Sequence, residues 1–443
     1  MITKLNSFFA KIKLMFAASI CSLSIVSCSN KQVEDNVNAD NETLIVSTYG
    51  KVMNVNLEQK KVQWQFQSKY NLEGNRNLFS ISDSILIQPF ESGELVAFNI
   101  NTGKIIWKEH ILGAGDGAET AVGTADGQLD TTFVNSLKPL FMTQPLIAEN
   151  SVYITSTNQP QSDNVPSLYS IDKKTGKTNW IENLPTVFNL YKPVLHNGYV
   201  FVNSAVYLNM YSKNEGTNTS YGTFDGADEY PDAPHNQFAN PIYVQMQSDG
   251  KKLYVGDENG KFYALKFDEH NVFPNADIMD PNNTFIKNPK LFDWKFDDPG
   301  VSSAHTDGTT YIHNGTLLAA VNQTDKTEPA IIAIDLANGK LKWKTQLKNI
   351  EEWRLIGDQI VATDFTSVYI LNTDGKLMET INTSKEFAPI SNIEIDKNGD
   401  LLYATGQGIA KYEMKTKKFS VVLKQTFKKD QHDYFQVKYL RKK

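Results

Sequence analysis

One short pattern recurs along this chain and limits what it can become. Val96-Ala97-Phe98-Asn99-Ile100-Asn101-Thr102-Gly103-Lys104-Ile105-Ile106-Trp107 runs from an apolar segment through Asn and a tight turn to Gly-Lys and then Trp. Leu168 to Trp180 and Ile332 to Trp343 repeat it, with Gly176-Lys177 and Gly339-Lys340 at the corner. Weaker copies keep the frame: Lys61 with Trp64, Gly216 with Ser220, Lys290 with Trp294, Gly375-Lys376 with Glu379, and Lys418 with Val421. Period-two alternation before the corner suits a half-buried strand. A Thr/Asn-Gly-Lys corner supplies a residue that tolerates positive φ. The tryptophan then opens an outer strand, where it can lie over the edge of a neighbour. Trp64, Trp107, Trp180, Trp294 and Trp343 are therefore read as structural marks of the repeat. The base step between marks is about 40 residues, enough for four short strands and their turns.

Eight marks imply eight four-stranded units. Most units show two earlier strands, such as Pro145-Leu146-Ile147 followed by Val152-Tyr153-Ile154. The first unit lacks its innermost strand and starts at Leu44-Ile45-Val46-Ser47, whereas Tyr434 to Leu440 is a strand with no unit of its own. Pairing the two closes a ring and removes two open edges. The expected fold is all-β: an eight-bladed propeller over residues 43–443, closed by its N- and C-terminal strands.

The motif resembles the repeat of pyrroloquinoline-quinone-type propellers. That superfamily holds the quinoprotein dehydrogenases and BamB-like outer-membrane assembly lipoproteins. The dehydrogenase branch implies a bound quinone, a nearby calcium ion, a catalytic aspartate and usually a disulfide between adjacent cysteines. This chain has two cysteines, Cys21 and Cys28, which are not adjacent. A non-catalytic reading without a quinone cofactor is therefore preferred to a dehydrogenase.

Both cysteines lie in the N-terminal segment. Lys4, Lys11 and Lys13 precede an uncharged, mostly apolar run from Leu14 to Val26. The run is shorter than the ~20 residues that span a bilayer and fits the core of a signal peptide. It ends Ile25-Val26-Ser27-Cys28, which resembles a bacterial lipobox. The resemblance implies cleavage after residue 27 and acylation of Cys28, and two or more acyl chains suffice for stable anchoring. Residues 28–42 are polar and acidic and read as a flexible tether. Ser29 after the cysteine resembles an outer-membrane address. Glu34-Asp35 resembles the acidic export signal of lineages that display lipoproteins at the cell surface, so either face of the outer membrane is open.

Net charge is −6, which argues against nucleic acid as a partner. The charge is uneven. From Lys411 onward eleven Lys and Arg face Glu413, Asp430 and Asp433. This reads as an edge protected by lysines or as contact with anionic headgroups.

No catalytic motif stands out. The seven histidines, His110, His196, His235, His270, His305, His313 and His432, show no metal-ligand spacing. Asp225-Gly226-Ala227-Asp228-Glu229 and Asp126-Gly127-Gln128-Leu129-Asp130 gather carboxylates and leave calcium open, but neither fits an EF-hand loop.

Long connections are where a rigid scaffold carries function. Gly113–Pro139, Thr157–Pro166, Tyr221–Gln237 and Gln323–Pro329 fall between blades or between second and third strands, hence on one face; Glu269–Pro289 falls on the other. The first face carries Asp116, Asp126, Asp130, Asp225, Asp228 and Glu229 with Phe133, Tyr221, Phe224 and Tyr230. Aromatics of this kind dominate interface energy. The expectation is a lipid-anchored scaffold binding an outer-membrane protein or complex through this face. A surface module for glycan or another ligand is the alternative.

Overall fold

The computed structural model describes residues 39, 41–48, 50–68, 78–90, 93–110, 141, 143–156, 166–186, 190–221, 238–266, 272–274, 291–298, 308–321, 328–427 and 435–441. Within them the chain forms eight antiparallel sheets, each a blade of the expected propeller. Blade 2 shows the plan: Ser80–Ser82 innermost, then Ile85–Pro89, Glu94–Asn99 and Ile105–His110 outermost. Blade 1 is composite. Its inner strand is Gln436–Leu440, which pairs antiparallel with Thr43–Thr48, and Lys51–Asn56 and Lys61–Gln67 complete it. Ring closure by the C-terminal strand is thus as the unpaired segments required.

The core is eight apolar layers, one between each pair of consecutive blades. Ile45, Val52, Leu86 and Phe98 fill the layer between blades 1 and 2. Leu44, Val55, Leu402, Ile409 and Val437 fill the closing layer between blades 8 and 1. A middle strand touches two layers at once, so both of its faces are buried. Thr43–Thr48 (TLIVST) is buried at every position, as is Ala330–Ile334 within Ala330–Asp335 (AIIAID). Half-burial was expected for the third strands; the neighbouring blade covers the second face instead. Alternation survives in outer strands: Lys61–Gln67 reads exposed and half-buried in turn.

The register marks are structurally equivalent. Trp64 pairs with Asn54, Trp107 with Ala97, Trp180 with Ser170, Ser220 with Asn209, Trp294 with Ala264, Trp343 with Ala333, Glu379 with Ile370 and Val421 with Ala410. Except in blade 4, the pairing shifts register beside the mark. Such a bulge bends an outer strand and re-aims a side chain.

That aim has a target on the next blade. A Cβ on Gly103 would meet Trp64, one on Gly176 would meet Trp107, and Gly216, Gly339 and Gly375 stand in the same relation to Trp180, Trp294 and Trp343. The indole N–H of Trp64 donates to Ile100 O at 2.8 Å, that of Trp107 to Lys173 O at 2.8 Å, and that of Trp294 to Leu336 O at 2.9 Å. The Gly of the motif therefore serves the tryptophan of the preceding blade as well as its own turn. Between blades 7 and 8 an ion pair, Glu379 with Lys417, stands in place of the tryptophan dock.

Candidate functional site

Antiparallel order gives the propeller two unlike ends. At one end emerge the connections between blades and those between second and third strands. At the other emerge the connections joining first to second and third to fourth strands, which are tight turns except between the third and fourth strands of blade 5. At the turn end the motif's Asp or Asn closes the corner: Asp172 Oδ1 accepts from Lys174 N at 3.1 Å and Thr175 N at 2.8 Å. Those hydrogen bonds, led by that from the Thr175 hydroxyl, lower the Asp172 pKa.

The residues proposed for a partner face divide sharply. Asp116, Asp126, Asp130 and Phe133, and Phe224, Asp225, Asp228, Glu229 and Tyr230, lie outside the described residues, as does Cys28. The described strands do fix where their segments begin and end. Residues 111–140 run from the outer strand of blade 2 to blade 3, and 222–237 from the outer strand of blade 4 to blade 5, both at the long-connection end. Tyr221 is not a loop residue. It ends the strand Asn218–Tyr221 and pairs with Val272.

That pairing adds to the reading of the fifth insertion. Glu269–Pro289 joins the third and fourth strands of blade 5, Phe262–Lys266 and Phe292–Phe296, and so leaves from the opposite end. Its described part, Val272–Pro274, forms a fifth strand along the outer edge of blade 4, which the sequence reading did not foresee. An outer edge offers unpaired N–H and C=O groups, and this one is covered from within the chain.

The central ring holds features the sequence reading missed. Side-chain amides bridge neighbouring inner strands. Gln436 Oε1 accepts from Phe79 N at 2.7 Å, while its Nε2 donates to Phe79 O at 3.3 Å. Gln245 makes the same two bonds to Lys192, both at 2.9 Å. Asn392 makes them to Val437 at 2.9 and 3.0 Å. Each amide imitates one rung of a β-ladder across a gap between blades. A signal was available: Gln144, Gln245 and Asn392 each stand just before an inner strand. Glu394, buried on the inner strand of blade 8, lies 3.6 Å from Arg354 of blade 7 and 3.8 Å from Lys438 of blade 1. It ties three blades together at the closing seam.

His196, on the inner strand of blade 4, is 1% exposed. Its Nδ1 lies 2.7 Å from Ser248 Oγ of blade 5. Burial lowers its pKa from 6.5 to about 4, against a smaller opposing pull from Asp249. The folded state thus resists a proton that the unfolded chain takes up below pH 6.5. Stability is present above that pH and is lost as pH falls towards 4, by about 2–3 kcal/mol. His196→Gln should flatten this part of the profile in urea melts run between pH 7 and 4.5. A variant with the wild-type slope would place the acid sensitivity elsewhere.

Among the described residues no group of three or more His, Cys, Asp or Glu could hold a metal ion, and no helix is long and apolar enough to cross a membrane.

Comparison with known proteins follows the repeat. The family model described as outer membrane protein assembly factor BamB matches residues 26–205. A BamB from Legionella pneumophila (strain Paris) is 24% identical over 210 residues, covering 42% of this chain and 49% of the relative. The match thus spans about half of that relative's length. In fold, the crystal structure of BamB from Moraxella catarrhalis superposes with a TM-score of 0.51 at 14% identity, over 83% of this chain and 89% of that one. A quinohemoprotein alcohol dehydrogenase from Comamonas testosteroni superposes at 0.54 and 11% identity, over 85% and 71%. The ring architecture is therefore shared by an outer-membrane protein assembly factor and an alcohol dehydrogenase, and fold alone does not choose between them. The blade plan and these likenesses together make this chain an eight-bladed propeller, similar to the BamB family model from residue 26 to 205.

Proposed function

We propose that this chain is a lipid-anchored, non-catalytic propeller that holds a partner within an outer-membrane protein complex, with help in membrane-protein assembly as its concrete form. No quinone belongs to this reading. Its main support is the strand order, which opens the long acidic and aromatic segments at one end of a rigid ring. The likeness to BamB gives that end a kind of partner.

The test is recovery of the full chain from membranes in mild detergent, with bound proteins identified by mass spectrometry. A membrane barrel or its assembly machinery should co-purify. Phe224→Ala or Tyr230→Ala should weaken recovery by about 2 kcal/mol, roughly 30-fold, as for an interface hot spot, with Tm unchanged. Neutralising Asp225, Asp228 and Glu229 together should slow association and flatten its salt response. Because Val272–Pro274 pairs with the strand leading into residues 222–237, the insertion is a poor control. Asp374→Ala, at an exposed turn on the opposite end, serves instead. Cys28→Ser should move the protein to the soluble fraction and abolish acyl labelling. If Asp374→Ala releases the partner while Phe224→Ala and Tyr230→Ala retain it, the working face is wrongly assigned.

A further inference from the structure

The turn end carries a surface that the partner-binding reading does not use. A lysine recurs at one structural position, three residues before the register mark, in six of the eight blades; it follows the motif glycine in four of them and Lys60 or Lys417, which take the glycine's positive φ, in blades 1 and 8. Lys61 of blade 1, Lys104 of blade 2, Lys177 of blade 3, Lys340 of blade 6, Lys376 of blade 7 and Lys418 of blade 8 all stand there, and all are exposed. Blades 4 and 5 have Thr217 and Leu291 at that position. The six lysines are therefore not scattered. They occupy consecutive blades, from 6 through 8 and on through 1 to 3.

The middle of that arc is the seam between blades 8 and 1, where the chain enters the propeller. Glu42 O accepts from Leu57 N, in the turn before the outer strand of blade 1, at 3.0 Å. Glu42 Oε1 lies 3.0 Å from Lys397 Nζ, in the first turn of blade 8, and accepts from Tyr439 Oη at 2.8 Å. The closing strand runs antiparallel to Thr43–Thr48, with Leu440 opposite Thr43. Both chain ends thus leave the ring at the turn end and beside the seam. Ala39, the first of the described residues, is 4% exposed and lies within the stretch read from sequence as tether.

Acidic residues share this end, but the structure engages several of them locally. Asp83 pairs with Lys173 and Glu149 with Lys213. Asp172 and Asp335 accept from backbone N–H groups of their own turns. Lys104, Lys177, Lys340, Lys376 and Lys418 make no ion pair among the described residues. An exposed, one-sided arc of ammonium groups centred on the tethered end meets the geometry of a flat anionic surface. Closely spaced lysines are drawn to anionic lipid within a Debye length.

From this placement we infer that the turn end of the propeller rests on anionic phospholipid headgroups through the lysine arc, leaving the long-connection end directed away from the bilayer. The inference deepens the anchored reading by giving the ring an orientation, and it stands on charge and topology whether or not Cys28 is acylated.

Co-flotation of the full chain with vesicles tests it. Phosphatidylcholine vesicles are compared with vesicles of phosphatidylcholine and phosphatidylglycerol, at low and high salt. The N-terminal apolar segment is common to both arms and cancels in the ratio. The wild type should prefer the anionic vesicles, and salt should abolish the preference. Each lysine near such a surface contributes roughly fivefold in partition. Changing Lys104, Lys340, Lys376 and Lys418 to Gln together should therefore lower the preference by roughly 600-fold, with Tm unchanged. Lys348→Glu with Lys385→Glu, exposed at the long-connection end, should leave it intact. The inference falls if the wild type shows no anionic preference, if the quadruple variant keeps it, or if the control pair loses it equally. An unlabelled Cys28 alongside a retained preference would remove the acyl anchor but keep the surface.

Discussion

A chain ending at His432 should be less stable by on the order of 5 kcal/mol, and should aggregate. The missing segment supplies the inner strand of blade 1 and buries Phe435, Val437, Tyr439 and Leu440. Burying each such side chain contributes about 1.5–3 kcal/mol, against a total stability of about 5–15 kcal/mol for a folded protein. The amide bridge from Gln436 to Phe79 disappears, and Asn392 and the buried Glu394 lose Val437, Tyr439 and Lys438. What remains is Thr43–Thr48 with an open, apolar edge, a template for pairing between molecules. Denaturant midpoints with light scattering check this. Gln436→Ala is the gentler version and should cost about 1–3 kcal/mol, because it leaves Phe79 N without its acceptor. A truncated protein that melts like the full chain would show the C-terminal strand to be an ornament.

The second large effect concerns one glycine–tryptophan dock. Trp294 is 7% exposed, donates to Leu336 O and tilts against Tyr254 with ring centroids 5.9 Å apart. Trp294→Ala should cost about 3–5 kcal/mol, the range for a large buried aromatic. Gly339 has φ +70°, and a Cβ there would lie 2.6 Å from Trp294 Cδ2. Gly339→Ala should therefore destabilise through both the backbone conformation, about 1–2 kcal/mol, and the clash. Once Trp294 is alanine the clash is gone and only the backbone cost of Gly339→Ala remains. A double-mutant cycle should then return a coupling of about 1–3 kcal/mol. Additive effects would mean that the glycine serves only its own turn.

This dock explains why the architecture could be read from sequence. Gly103-Lys104 and Trp107 are local in the chain, yet each constrains a different neighbour: the glycine receives Trp64 and the tryptophan reaches Gly176. A local pattern that carries a non-local contact marks the ring as well as the strand. The terminal strand was legible for a related reason, since an unpaired apolar segment at each end needs a partner. The central ring left only a faint mark, an amide residue just before an inner strand. Gln245 and Asn392 look like ordinary polar residues, and their two-bond bridges depend on the spacing of strands far apart in sequence. Val272–Pro274 was missed because three residues carry almost no period, and only the open edge beside Asn218–Tyr221 gives them a place. For the partner face, the topology located the ends of the long segments, while the acidic and aromatic side chains themselves lie beyond the described residues.

The fifth strand on blade 4 has a consequence for symmetry. Eight near-equivalent blades present any visitor with eight near-equivalent rotations of the same ring. A partner reading only the repeat would bind in several orientations and hold none of them. Blade 4 alone, among the described sheets, has a fifth strand at its outer edge, and blades 4 and 5 alone interrupt the lysine arc. These departures turn a wheel into a dial with a marked position, so that a partner meeting the ring there finds a single bearing.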